Sequence, residues 1–317
     1  MGLDLVKDDK SRTTDGKNLK SLRVSRKFRS DFISKYGFVP CSILINDRHS
    51  TKDVLDVARD SGRRYSDQRL RCEDKNDFQL KKGYDEAFYF SRRGALHGAL
   101  STFPQNIGRL VVEFFCPLNG IVYDPFAGHN SRMQLVYTCQ RHYIGVDVSK
   151  EFMKHNFLVR DKLLKPKGFF KNEATITLIE GSSAKVDQVK SSHADFTLTS
   201  PPYWDIEYYG DEPEQLGNAK TYDDFLNLLF PHVKENFRIL KPGAYCCWFI
   251  NDFFREKIFY PYHCDLYYMF VDAGFIPDNI YIVDLGQPLQ AAYVQQIEKA
   301  KRFPKRHEYC LVFRKPE

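Results

Sequence analysis

A hydroxyl, two prolines and a phenol follow one another at Ser200-Pro201-Pro202-Tyr203, directly after the apolar run Ala194 to Thr199 and before Trp204. The Phe, Thr and Leu of that run predict a buried strand. Neither proline can donate a backbone N–H, and each drives the residue before it out of the α region. The expected result is a stiff turn at the carboxyl end of a strand, holding Ser200, Tyr203 and Trp204 in fixed directions. In open α/β sheets that is where ligands bind.

A second constellation lies upstream, at Asp124-Pro-Phe-Ala-Gly-His-Asn-Ser-Arg132, after the predicted strand from Gly120 and at the opening of a helix over Ser131 to Gln140. A strand, a glycine turn and a helix N-terminus let backbone approach a cofactor closely. Twenty-three residues beyond Asp124 comes Asp147, at the end of the next strand. A carboxylate at that offset suits two ribose hydroxyls. A glycine turn alone is equally a tight βα connection that binds nothing. The combination with Asp147 and the Pro-Pro turn is what makes the pattern specific.

Asp-Pro-Phe-Ala-Gly, then Gly-Val-Asp, then Thr-Ser-Pro-Pro-Tyr-Trp resembles the amino-group DNA methyltransferases, which methylate N4 of cytosine or N6 of adenine from S-adenosyl-L-methionine. Over residues 96–317 the resemblance takes in Phe103-Pro104, Leu240-Lys-Pro-Gly and the closing strand from His307. It implies a Rossmann-like α/β methyltransferase fold, a mixed seven-stranded sheet with the last strand inserted antiparallel and helices on both faces. By the same resemblance Phe103, Asp124, Phe126, Ala127, Gly128, Asn130, Asp147 and Ser182 form the cofactor side. Ser200, Pro201, Pro202 and Tyr203 are then catalytic. Two departures stand out. His129-Asn130 occupies the place of a second small residue, with Asn130 expected to tolerate a positive φ. Ser182-Ser183 follows Gly181 where the family often has an acid.

The implied chemistry needs two fixed acceptors, Ser200 Oγ and the Pro201 carbonyl, aimed at the hydrogens of an amino group whose lone pair is otherwise delocalised. Positioning and preorganised electrostatics would do most of the work. A base in a duplex must be flipped to reach such a turn. Trp204 and Tyr208 are expected to stack on it, and Arg302 and Lys305 to meet phosphates of double-stranded DNA. Serine ahead of Pro-Pro leans towards cytosine N4. Two rivals remain: a methyltransferase for RNA bases or protein glutamine, and a nucleic-acid binder whose cofactor site has decayed at His129-Asn130.

The rest of the chain supplies the frame. Strands are expected at His142 to Asp147, Ala174 to Ile179, Ala244 to Ile250, Asn279 to Asp284 and His307 to Phe313. Helices are expected from Ser149, from Thr221 with Leu228 and Phe237 turned inward, and over Pro261 to Ala273. Residues 1–27 read as a basic arm and 28–95 as a small accessory module. The net charge is +6, and residues 10–35 hold nine Lys/Arg against Asp15 and Asp31. That excess fits contact with a polyanion, or else a solvated tail. No apolar run is long enough to span a membrane. The eight cysteines are scattered without a C-x-x-C pair, which suggests reduced core thiols in a cytoplasmic protein and no metal site. A cognate restriction enzyme is a conceivable partner that the sequence does not identify.

Overall fold

The computed structural model describes residues 41–45, 103–165, 172–206, 209–285, 301–303 and 305–317, together with Ser30. The chain divides into two compact units, 1–41 and 42–317, and every strand and nearly every other described residue belongs to the second. The arm over 1–27 lies outside the described residues, as does the expected module over 28–95 apart from Ser30 and 41–45.

The elements of the second unit alternate. They are β1 (Ile43–Ile45), α1 (Gln105–Phe115), β2 (Ile121–Asp124), α2 (Ser131–Thr138), β3 (His142–Asp147), α3 (Lys150–Leu163), β4 (Ile176–Glu180) and β5 (Ala194–Thr199). There follow α4 (Tyr222–Ile239), β6 (Leu240–Ile250), a hairpin of β7 (Phe253–Arg255) and β8 (Ile258–Tyr260), α5 (Tyr262–Asp272), β9 (Ile276–Asp284) and β10 (His307–Arg314). One sheet runs β1-β9-β10-β6-β5-β2-β3-β4. All its pairs are parallel except those of β10, which lies antiparallel between β6 and β9. The seven expected strands are present. An eighth, β1, adds to the edge beside β9, and the Asn106 amide fastens it by donating to the Ile45 carbonyl at 2.9 Å.

The faces of β6 show how the helices are shared out. Cys246, Trp248 and Ile250 turn to one side, into a core with Phe225 and Leu229 of α4 and Leu266 and Phe270 of α5. Tyr245 and Phe249 turn to the other, against Phe115 of α1 and Phe103. Period-two alternation on a strand buried on both faces requires helices on both. Phe270 stacks on Phe313 at 4.2 Å to close the core at its far end. Cys116, Cys139, Cys246, Cys247 and Cys310 are buried and form no disulfide. No described helix is long and apolar enough to cross a membrane.

Local signals are honoured where they were expected. Ser149 caps α3 by accepting from the Phe152 N–H (3.4 Å), and Thr221 caps α4 from Asp224 (3.1 Å). Two expectations are corrected. Leu228 is exposed, because α4 presents Phe225 and Leu229 to the core and leaves position 228 on the outer face. Lys241-Pro-Gly is no separate turn: β6 starts at Leu240, and Gly243 at φ 74° absorbs the bend while its N–H bonds the Lys315 carbonyl.

Candidate active site

From β2 the chain steps outward through β3 and β4, and returns to the other side of β2 at β5. The carboxyl ends of β2 and β5 therefore flank the switch point of the sheet, where a crevice must open. A cleft opens there, as a ligand site at a switch point requires. Gly128 and Asp147 line it on one side, and Ser200, Pro201, Pro202 and Tyr203 on the other.

Behind the first side stands Asp124, fully buried. Its carboxylate accepts from Arg132 Nε (2.7 Å), the Tyr143 hydroxyl (2.8 Å), the Thr199 hydroxyl (2.6 Å) and the Phe126 N–H (3.3 Å). It shapes the cleft from behind and does not line it. Arg132 in turn bonds the Phe126 and Ala127 carbonyls, so the whole 124–132 turn is wound around one buried ion pair. The positive φ of this turn sits on Gly128 (49°), while Asn130 is helical at φ −68°. This corrects the expectation for Asn130, which instead stands at the α2 N-cap with its side-chain oxygen taken by Gln134. His129, the other departure, leans its ring along the wall against Phe152 at 4.6 Å. Burial and the nearby Arg132 push its pKa down to about 3, so it is neutral.

Asp147 closes the turn from β3. One carboxylate oxygen accepts from the Gly128 N–H (2.7 Å) and the other from Ser149 N–H (2.9 Å). Burial raises its pKa to about 6 against the opposing effect of those two bonds. Lone pairs remain on both oxygens for hydroxyl donors. Asn156 of α3 holds the Gly128 carbonyl at 2.8 Å.

On the opposite side the prolines behave as their chemistry dictates. The Tyr262 hydroxyl donates to the Pro202 carbonyl (3.2 Å), and the Ile206 N–H donates to that of Tyr203 (3.0 Å). Among the described residues, neither Ser200 Oγ nor the Pro201 carbonyl, the two acceptors singled out from the sequence, has a partner. Trp204 follows at φ 43°, a region costly for a bulky side chain. It is held there by its indole N–H on the Ala219 carbonyl (3.0 Å) and by the rings of Tyr222 and Tyr260. Trp204 is thus a buried anchor outside the cleft lining, a correction to its expected stacking role. Tyr208 lies outside the described residues; its neighbour Tyr209 does line the cleft.

Phe126 lines the cleft, whereas Phe103, Ala127 and Ser182 are outside its lining. Phe103 is buried between Phe249 and the Arg132 guanidinium, and Ser182 Oγ accepts from the Ala184 N–H. Arg302 and Lys305 are placed on the β7–β8 hairpin, away from the cleft lining.

Sequence reasoning missed the cleft floor. Ser183 Oγ lies 2.5 Å from the Pro125 carbonyl and 2.7 Å from His232 Nδ1. A carbonyl only accepts, so the serine proton goes to Pro125 and His232 must present Nδ1–H to Ser183. Its Nε2 is then an acceptor in a ring that lines the cleft and packs on Phe126. Burial pushes the pKa of His232 down to about 4, which keeps the ring neutral. Forty-nine residues separate the partners, and no local pattern announces such a pair.

With this geometry in hand, comparison with known proteins is informative. The DNA methylase (N6/N4 methyltransferase) family model matches residues 194–317, from the first residue of β5 through the Pro-Pro turn to the chain end. Over these residues the chain is similar to the DNA methylase family. No curated protein matches the chain. Among solved structures, an S-adenosylmethionine-dependent methyltransferase from Methanosarcina mazei shares 12% identity over 65% of this chain and 97% of its own, with a TM-score of 0.45. A Thermus thermophilus protein named for DNA modification methylases, solved with S-adenosyl-L-methionine, shares 25% identity over 43% of this chain and 52% of its own, with a TM-score of 0.33.

Proposed function

We propose that the protein transfers a methyl group from S-adenosyl-L-methionine to the exocyclic amino nitrogen of a flipped base in DNA, with cytosine N4 the first target to test and adenine N6 the second. One observation carries this: the two unpartnered acceptors of the Pro-Pro turn and the glycine–aspartate turn share a single cleft. The match of residues 194–317 to the DNA methylase family model supports it.

The residues fit the cofactor. Gly181 lines the cleft at φ 142°, and a Cβ there would project into open space, as a cradle for a ligand requires. Asp147 would accept from ribose hydroxyls, Gly128 would leave room beside the turn, and Phe126 would offer an apolar face. When bound, the cofactor supplies an electrophilic methyl on a sulfonium. The protein's own part is positional. Ser200 Oγ and the Pro201 carbonyl accept from the amino hydrogens, which favours a tetrahedral nitrogen with a directed lone pair. Neither proline has an N–H to compete for the same site. Tyr203, braced edge-on by Tyr262 at 6.1 Å, offers a face to the base.

The test is direct. Protein, S-adenosyl-L-methionine and unmethylated duplex DNA are incubated, the DNA is digested to nucleosides, and these are read by mass spectrometry. N4-methylcytosine or N6-methyladenine is expected. Neither appearing while the cofactor still binds would overturn the proposal.

A further inference from the structure

The β7–β8 hairpin has no part in the chemistry derived above, yet it is fastened to the catalytic turn. Its inner face carries Phe253 and Tyr260, stacked at 5.3 Å, and Tyr260 packs on Trp204. Arg255 of the hairpin pairs with Asp205, one residue beyond Trp204. Its outer face carries Phe254 opposite Phe259, ring centroids 5.0 Å apart. The tip is a two-residue turn of Glu256 and Lys257 with φ of 50° and 69°. Such turns normally take Asn or Gly. Backbone strain at an exposed tip beside a candidate active site points to use rather than packing.

What the outer face presents is unusual for a free surface. Phe259 is 46% exposed and Phe303, which adjoins Arg302, 90%; beside this face, at the tip, Ile258 opposite Arg255 is 57% exposed. Two cations are laid over the rings: the Arg302 guanidinium 3.8 Å from the Phe254 centroid and Lys305 Nζ 5.7 Å from that of Phe259. Stacked in this way, a guanidinium keeps its edge N–H groups directed outward. Among the described residues none of those N–H groups has an acceptor. Lys305 also donates to Asn251 and to the Asp252 carbonyl, which fixes it at the carboxyl end of β6. The acids nearby are engaged, Glu256 with Arg255 and Asp252 with His263.

We propose that this face and the hairpin tip are the docking surface for duplex DNA flanking the target base: Phe259 and Phe303 on the face and Ile258 at the tip pack against bases and sugars as the duplex opens, and Arg302 and Lys305 meet phosphates. Exposed apolar wedges beside cations are how proteins unstack a duplex, and a planar arginine fork matches phosphate oxygens. The inference rests on the DNA reading proposed above and adds to it the element that makes a duplex accessible.

The experiment compares two substrates for the full-length protein: unmethylated genomic DNA as duplex, and the same DNA heat-denatured. For Ile258→Ser/Phe259→Ser, the ratio of duplex to single-strand kcat/KM is expected to fall at least tenfold. An unchanged ratio overturns the proposal, whether both activities survive or both fall together. Should that variant fail to fold, Arg302→Gln/Lys305→Gln gives an independent reading: the slope of log affinity against log salt for duplex DNA should shrink by about 1–2, and an unaltered slope overturns the phosphate contacts. If the variants instead change self-association in sedimentation and leave the ratio alone, the face is a protein contact and the proposal fails. A wild-type protein that binds S-adenosyl-L-methionine and methylates neither DNA form removes the DNA reading itself, a result distinct from any effect of the hairpin.

Discussion

Asp124→Asn tests the claim that one buried ion pair winds the cofactor-side turn. The substitution keeps size and removes charge. The new amide has one oxygen and one NH2 where the carboxylate had two acceptors. Placed towards Arg132 Nε and the Tyr143 hydroxyl, the NH2 would face two donors, so the lower-energy orientation turns it towards Thr199, whose hydroxyl can rotate to accept. The Phe126 N–H then loses its partner, and Arg132 is left buried beside a neutral amide. Breaking a buried pair from one side costs roughly 3–5 kcal/mol. Arg132 retains the Phe126 and Ala127 carbonyls, which puts this case near the lower end, about 3 kcal/mol. At roughly 2–4 °C per kcal/mol for a domain of this size, Tm should fall by about 6–12 °C. Differential scanning fluorimetry measures the shift, and urea melts at constant m-value confirm that it is stability. A fall of less than about 3 °C would refute the reasoning, because it would mean that the carboxylate charge does not hold the turn.

Other consequences follow from the same geometry. Tyr203→Ala and Pro202→Ala should abolish turnover and leave most cofactor binding intact; a fully active variant removes the assignment of the turn. Cofactor affinity should weaken as pH falls through about 6, where Asp147 takes up a proton and loses acceptor capacity, and Asp147→Asn should bind weakly at every pH; titration calorimetry at pH 7.5 and 5 decides. His232 has a folded pKa of about 4, below the roughly 6.5 of a free imidazole, so its contribution to stability is present above pH 6.5 and is lost as pH falls towards 4. The raised pKa of Asp147 acts in the opposite sense, with stability lost as pH rises towards 6, so comparison with His232→Asn isolates the histidine. That variant keeps a donor for Ser183 and should lose the acid-side slope with little change in Tm at pH 8, whereas His232→Ala removes the donor to Ser183, leaves it only the Pro125 bond, and should cost about 1–3 kcal/mol.

The strands that build the site were legible because a parallel strand buried on both faces reads as an unbroken apolar run, and because Pro201-Pro202 and Gly128 mark where two of them stop. What escaped has a different physical origin. β1 is three residues long and exists only through its pairing with β9, where Ile43 meets Ile282 from the far end of the chain. The β7–β8 hairpin turns on Glu256-Lys257, which carry no turn signal of their own and take the positive φ that a two-residue hairpin connection demands. Trp204 looked like a ligand contact by its position after the Pro-Pro turn. Its burial is decided by Tyr222, Tyr260 and Ala219, which only the folded chain brings to it.

The roles of Asp124 and Thr199 were obscured for a related reason, and together they show how the two halves of the site are joined. Thr199 is the residue before Ser200, and its hydroxyl donates to Asp124, the last residue of β2. The Pro-Pro turn and the 124–132 turn therefore hang from one buried carboxylate across adjacent strands. Each strand end alone has the freedom of a loop. The bond between them fixes their separation, and with it the distance between the acceptors at 200–201 and the aspartate at 147. A site for group transfer needs that fixed distance more than it needs any single strong contact, since misplacement by about 1 Å can cost on the order of a hundredfold in rate. The most deeply buried acid of the site is therefore better understood as the element that sets its spacing than as a ligand.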